Sequence, residues 1–165
     1  MFDVRRTIKA MMGSAGLSLR TLTEKFNEVT GQDITLQAMD YKIKKETMKM
    51  VEFVVVCDIC GFDVRYRDRQ TDEVFLAVPV EEQLKQVMKA AGYTQEKLRQ
   101  ECMRQTMRKL SSSWFNVKIS KEAVKVEELR ILVYIMGCDL KVFQRGTRND
   151  MIEAEIVAEA KVFPV

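Results

Sequence analysis

The sequence predicts an α+β fold, mainly α, in which two pseudo-symmetric helical units each run into a β-hairpin. Three observations carry that prediction. Residues 4–69 align with 80–145 without a gap at an offset of 76, with about a quarter of the positions identical. Within each copy the apolar residues recur first at helical spacing and then, after a glycine, alternate. Only 7 Gly and 2 Pro leave little room for long linkers. The expected units are residues 1–78 and 79–165.

The identities sit at structural points: Val4 on Val80, Met12 on Met88, Gly16 on Gly92, Leu22 on Leu98, Lys42-Ile43 on Lys118-Ile119, Glu52 on Glu128, and Gly61 on Gly137. Chance matches rarely preserve apolar spacing over such a length, so a tandem duplication is expected.

The elements follow in order. Val4, Ile8, Met11 and Met12 share one face of a first helix over 4–14, and Val80, Leu84, Val87 and Met88 do so in the second copy. Gly16 and Gly92 end these helices in the left-handed region. Ser18 and Thr94 are N-caps for a second helix, which turns Leu19, Leu22 and Phe26, or Leu98 and Cys102, inward. A polar turn, Thr30-Gly31-Gln32-Asp33 or Ser111-Ser112-Ser113, precedes a third helix over 36–45 or 114–121, with Thr35 as the first one's cap. A fourth helix spans 51–60 or 127–136. The period then changes to two over Phe62–Arg67, turns at 69–72 and returns over 74–78 as a hairpin. The second copy alternates over Cys138–Phe143 and returns near 151–162, where a helix competes with a strand because Glu and Ala favour it. A lone hairpin is marginal, so the two hairpins are expected to share one antiparallel sheet.

Short helices with a turn between the second and third make a helix-turn-helix unit. The segments IKAMMGSAGLSLRTLTEKFNEVTG and LQAMDYKIKKETMKMVEFVVVCDICGFDVRY resemble the phage-repressor-like (XRE-type) helix-turn-helix family. The later segment VKISKEAVKVEELRILVYIMGCDLKVF resembles its last part equally well. The resemblance implies DNA binding, with the third helix in the major groove. Carried over by position, it assigns Thr35, Gln37, Ala38, Tyr41 and Lys42 to the reading face of the first copy, with Lys44 and Lys45 toward phosphates. In the second copy it assigns Ser111, Ser113, Trp114, Lys118 and Lys121. Gln pairs with adenine and Lys reaches guanine in such grooves. If both third helices dock, the half-sites lie roughly 34 Å apart. The competing reading is an ordinary solvated helix face. The link between helices two and three is longer than in the simplest members, and tandem copies in one chain depart from the family's habit of dimerising.

Charge is unequal between the copies. Residues 1–78 carry 12 basic and 12 acidic side chains, whereas residues 97–121 carry seven basic ones (Lys97, Arg99, Arg104, Arg108, Lys109, Lys118, Lys121) against Glu101 alone. A phosphate-binding surface is therefore expected around the second copy, and Arg104, Arg108 and Lys109 join the DNA-binding set. By its repeat partners, Phe115 is expected in the core and Trp114 on the surface, where it stacks on a base or anchors a partner.

Other chemistry is largely excluded. The chain has no histidine, which removes Ser-His-Asp and Cys-His nucleophiles and every His metal site. It has no Gly-rich phosphate loop and no paired metal-ligand motif, so neither an enzyme nor a cofactor is expected. Cys57-x-x-Cys60 looks like half a zinc site, but all four cysteines align with hydrophobes in the other copy and are expected in the core. The methionines Met11, Met12, Met39, Met48, Met50 and Met88 are expected there too. No apolar run reaches membrane-span length, and no signal peptide is apparent, so a cytoplasmic protein is expected. The leading expectation is a double-stranded DNA-binding transcription regulator acting as a covalent pseudo-dimer. The alternative is a phage or mobile-element inhibitor of a host defence nuclease that reuses the fold, as some anti-CRISPR proteins do. A further homodimer through a sheet edge is open.

Overall fold

In the computed structural model of the chain, residues 3–145 are described. Helix ends follow short-range capping. Asp3 accepts a hydrogen bond from Arg6 N at 3.0 Å and starts α1 (Val4–Ala15), which ends at Gly16 with φ 69°. Ser18 Oγ accepts from Thr21 N at 3.1 Å and starts α2 (Leu19–Thr30). Thr35 Oγ1 accepts from Ala38 N at 3.0 Å and starts α3 (Leu36–Lys44). Each cap satisfies a donor that the first helical turn leaves orphaned. Then come α4 (Met50–Cys60), β1 (Phe62–Asp68) and β2 (Val74–Leu76). The chain continues with α5 (Val80–Ala91), α6 (Gln95–Thr106, capped by Thr94), a five-residue π-helical turn (Asn116–Ser120), α7 (Val126–Ile135) and β3 (Cys138–Gln144).

The chain divides into two compact units. Among the described residues, unit 1 draws on residues 3–48, 52–64 and 141–145, and unit 2 on Lys49–Val51 and Arg65–Leu140. The boundaries fall inside β1 and β3, so each unit holds part of both strands. The sheet has the order β2-β1-β3. β1 and β2 pair antiparallel with Arg65 opposite Leu76, Tyr66 opposite Phe75 and Arg67 opposite Val74. Among the described residues it has three strands rather than the expected four. The expected return segment at 151–162 lies outside the described residues.

In unit 1, α1 and α2 pack on α3. Val4, Ile8 and Met11 of α1 meet a core that includes Leu22, Phe26, Met39, Ile43 and Phe53, all at most 3% exposed. Burying such side chains contributes about 1.5–3 kcal/mol each before entropy is counted. In unit 2, α6 packs on α7, and α5 on β2 and the π-turn. Its core includes Leu84, Val87, Leu98, Leu129, Leu132 and Val133, none more than 1% exposed.

The third helix expected at 114–121 forms over residues 114–120, with a change of helix type within it. Only Trp114 and Phe115 are α-helical before the backbone widens into the π-turn. Both large rings are buried and meet edge to face at 5.3 Å. The exits of α3 and the π-turn nevertheless match. Thr47 N donates to Lys42 O at 3.2 Å and Ala123 N to Lys118 O at 2.9 Å, with Glu46 and Glu122 left-handed at φ 53° and 55°. Both are Schellman-type closures without the usual glycine.

Candidate nucleic-acid interface

α3 presents two faces. Met39 and Ile43, four residues apart, are buried, whereas Gln37, Tyr41, Lys44 and Lys45 are exposed, Tyr41 to 59%. Residues four apart lie one above the other on a helix, so Gln37, Tyr41 and Lys45 form one outward stripe. The turn into α3 is held by Asn27 of α2, whose Nδ2 donates to Ile34 O and whose Oδ1 accepts from Ile34 N, both at 3.0 Å. This pair of bonds fixes α3 against α2, because a single amide satisfies both main-chain groups of one residue.

Unit 2 solves the same turn differently. Met103 stands where Asn27 does, 76 residues on. Arg99 reaches across instead, with Nη1 donating to Leu110 O at 2.6 Å while Nε and Nη2 bind Glu96 at 3.0 and 2.5 Å. Arg99 is thus a structural brace and is not spare charge for a ligand.

The remaining expected site residues separate by what already holds them. Thr35 is the α3 cap. Lys42 Nζ lies 2.9 Å from Glu52 and Lys118 Nζ 3.6 Å from Glu128, so both lysines tie their own helical element to the next one within their unit. Lys44 pairs with Asp40 at 2.9 Å in an exposed position, which contributes little. Arg104 pairs with Glu101. Its guanidinium, and then the Gln105 amide, hold the Glu101 carboxyl down at about 2. Ser111 and Ser113 bond each other at 3.2 Å on the surface. Arg108, Lys109 and Lys121 are exposed, and no carboxylate within 4.0 Å pairs with them among the described residues. Lys45 in unit 1 is exposed as well.

Trp114, expected on the surface, is buried. It is 9% exposed, close to Phe115 at 6%, and shares a small recess with Cys102, Leu110 and Leu132. The ring is a core residue of unit 2 and is not a surface stacking platform.

The cysteines are core, as the repeat alignment implied: Cys57, Cys60, Cys102 and Cys138 are all buried free thiols. Burial pushes the Cys57 thiol well above its ordinary value and holds Cys60 and Cys138 at about 11. Among the described residues no group of three potential ligands is arranged to hold a metal. Met11, Met39, Met48, Met50 and Met88 are buried as expected, and Met12 is half-buried. No described helix is long and apolar enough to cross a membrane.

Two arginines escaped the sequence reading. In unit 2, Arg69 Nη1 donates to Cys138 O and Asp139 Oδ1, both at 3.2 Å, and its guanidinium lies 4.1 Å from the Tyr134 ring centre. In unit 1, Arg145 Nε donates to Asp63 Oδ1 at 2.7 Å and Nη2 to Phe62 O at 3.2 Å, with Nη1 2.6 Å from Asp58. The signal was present: Arg69 and Arg145, and Asp63 and Asp139, are identities at the offset of 76.

No protein-family model matches this chain. No curated protein and no solved structure matches it either.

Proposed function

We propose that the chain is a double-stranded DNA-binding transcription regulator in which two helix-turn-helix units, related by tandem duplication, act as a covalent pseudo-dimer. The observation that carries this reading is α3. It is a capped nine-residue helix, braced at its entry by Asn27, that buries Met39 and Ile43. It turns an amide, a phenol and two ammonium groups outward. Those groups suit base edges and phosphates. The element bounds support the duplication, since Val4–Ala15 and Val80–Ala91, Leu19–Thr30 and Gln95–Thr106, and Phe62–Asp68 and Cys138–Gln144 each differ by 76. The exposed cations Arg108, Lys109 and Lys121 support a polyanionic partner.

A mobility-shift titration of duplex DNA tests the reading. The full chain is expected to retard duplex at low salt, to lose affinity steeply as salt rises, and to bind more weakly as Lys45→Glu. If no duplex is retarded at low salt, the reading fails, and inhibition of a host nuclease becomes the function to pursue.

A further inference from the structure

The turn that leaves the second helix of each unit has one backbone frame and two sets of side chains. Gly31 N donates to Asn27 O at 2.8 Å, and Met107 N to Met103 O at 2.9 Å. Thr30 Oγ1 donates to Phe26 O and accepts from Gln32 N. In the same way Thr106 Oγ1 donates to Cys102 O and accepts from Arg108 N. Gly31 and Met107 are both left-handed, at φ 72° and 61°. That frame carries Gly31, Gln32 and Asp33 in unit 1 but Met107, Arg108 and Lys109 in unit 2.

The fold does not account for Met107. A left-handed backbone strains a residue with a side chain, and Gly31 makes the same closure without that strain. Met107 is also 87% exposed, and among the described residues it is the one exposed methionine. Strain and an apolar side chain in water thus fall on one residue, and burial in the fold offsets neither. The two cations that follow it are exposed, with no carboxylate within 4.0 Å of them among the described residues. Just beyond them, Arg99 Nη1 holds Leu110 O at 2.6 Å. The tip over 107–109 is therefore tied at both ends, by Thr106 and by Leu110. A tip held in one shape before binding loses less entropy when a partner arrives.

We propose that Met107 is an apolar wedge that enters between two stacked base pairs of duplex DNA, while Arg108 and Lys109 hold the flanking phosphates. The proposal rests on the DNA-binding reading above and lies wholly within unit 2. Charge complementarity selects the partner. A thioether beside two unpaired cations matches a surface on which anionic phosphates line an apolar base stack. Methionine is among the side chains that unstack a base step and bend the duplex while cations grip the backbone alongside, and its unbranched chain adapts to an irregular gap. The turn of unit 1 lacks this chemistry, since Gly31 has no side chain and Asp33 repels phosphate. Unit 2 thereby gains a task, deforming the duplex, that differs from the base contacts of α3.

Titration of aminopurine-containing duplexes with the full chain at low salt tests the proposal, because this adenine analogue brightens when it is unstacked. With the aminopurine scanned through the duplex, the unaltered chain is expected to raise the fluorescence. It is also expected to shorten the end-to-end distance of a duplex labelled with a dye at each end. Met107→Gly and Met107→Ala are expected to abolish both changes and to weaken binding roughly tenfold, the worth of burying one such side chain, with the salt dependence unchanged. Relief of backbone strain is expected to raise the melting temperature of Met107→Gly, so weaker binding by that variant does not come from unfolding. Arg108→Ala with Lys109→Ala is expected to lower the salt slope by about two. A bound duplex that neither brightens nor bends overturns the proposal, and so does Met107→Gly binding as tightly as the unaltered chain. Binding to anionic phospholipid vesicles that is lost in Met107→Gly, with duplex binding intact, overturns it in favour of a bilayer partner. Those results leave DNA binding standing, whereas failure of the unaltered chain to retain any duplex at low salt removes the DNA-binding reading and this proposal with it.

Discussion

α3 and the π-turn begin from aligned sequence and end in the same closure, yet between those ends they are different objects. α3 is a capped helix with small Ala38 beside buried Met39. The π-turn follows Trp114 beside buried Phe115. At the position that holds Ala38 in unit 1 stands Trp114, buried together with Phe115, while Asn116, Val117 and Ser120 are exposed. What the two elements share is their exit, where Thr47 N and Ala123 N make matching bonds; their entries differ, since Thr35 caps α3 whereas Ser111 bonds Ser113.

The comparison is broken most strongly at Trp114. Trp114→Ala is expected to destabilise the protein by about 3–5 kcal/mol, as removal of buried large rings does. A chemical-denaturation curve checks it, and a near-neutral result returns Trp114 to the surface. Next come the two braces of the turn. Asn27→Ala strands both main-chain groups of Ile34 and is expected to cost about 1–3 kcal/mol. Arg99→Ala removes the bond to Leu110 O and is expected to act in the same direction on unit 2. Equal denaturation midpoints for Asn27→Ala and the unaltered chain sink the brace.

Thr35→Ala removes the α3 cap and is expected to lower stability by about 1 kcal/mol. No corresponding loss is expected for Ser111→Ala, because Ser111 Oγ bonds Ser113 on the surface. A smaller effect of opposite sign is expected where α2 and α6 end. Gly31 closes α2 at φ 72°, and Met107 closes α6 at φ 61° while 87% exposed. A left-handed non-glycine residue is strained, so Met107→Gly is expected to stabilise by about 0.5–1 kcal/mol, readable as a raised melting temperature.

The smallest effect concerns pH. The folded Glu101 carboxyl sits at about 2, below its ordinary 4.5. Its contribution is therefore present above about 4.5 and is lost as the pH falls toward 2. Glu101→Gln is expected to flatten that part of the melting-temperature profile. Unit 1 has Lys25 at the matching position, so no counterpart is expected there.

Much of this was legible beforehand for a physical reason. Ser18, Thr35 and Thr94 bond a main-chain N–H three residues ahead, so the residue type and its setting suffice to find them. The glycine stops and the buried cysteines were legible from period and alignment. The braces were not. Asn27 reaches Ile34 and Arg99 reaches Leu110, spans of 7 and 11 residues that become contacts only after the turn has folded. Trp114 was misplaced because alignment ranked Phe115 inward and said nothing about whether both rings fit.

The amino-acid order by itself pointed to where most helices start and stop and to which residues alternate. These depend on groups within about a turn of each other. Only the tertiary structure decided which cations remain available. Lys42 and Lys118 are engaged by Glu52 and Glu128, each ten residues away on the next helix. Arg108, Lys109 and Lys121 meet no such carboxylate among the described residues. A formal charge is a property of the residue, but its availability depends on what the fold brings beside it.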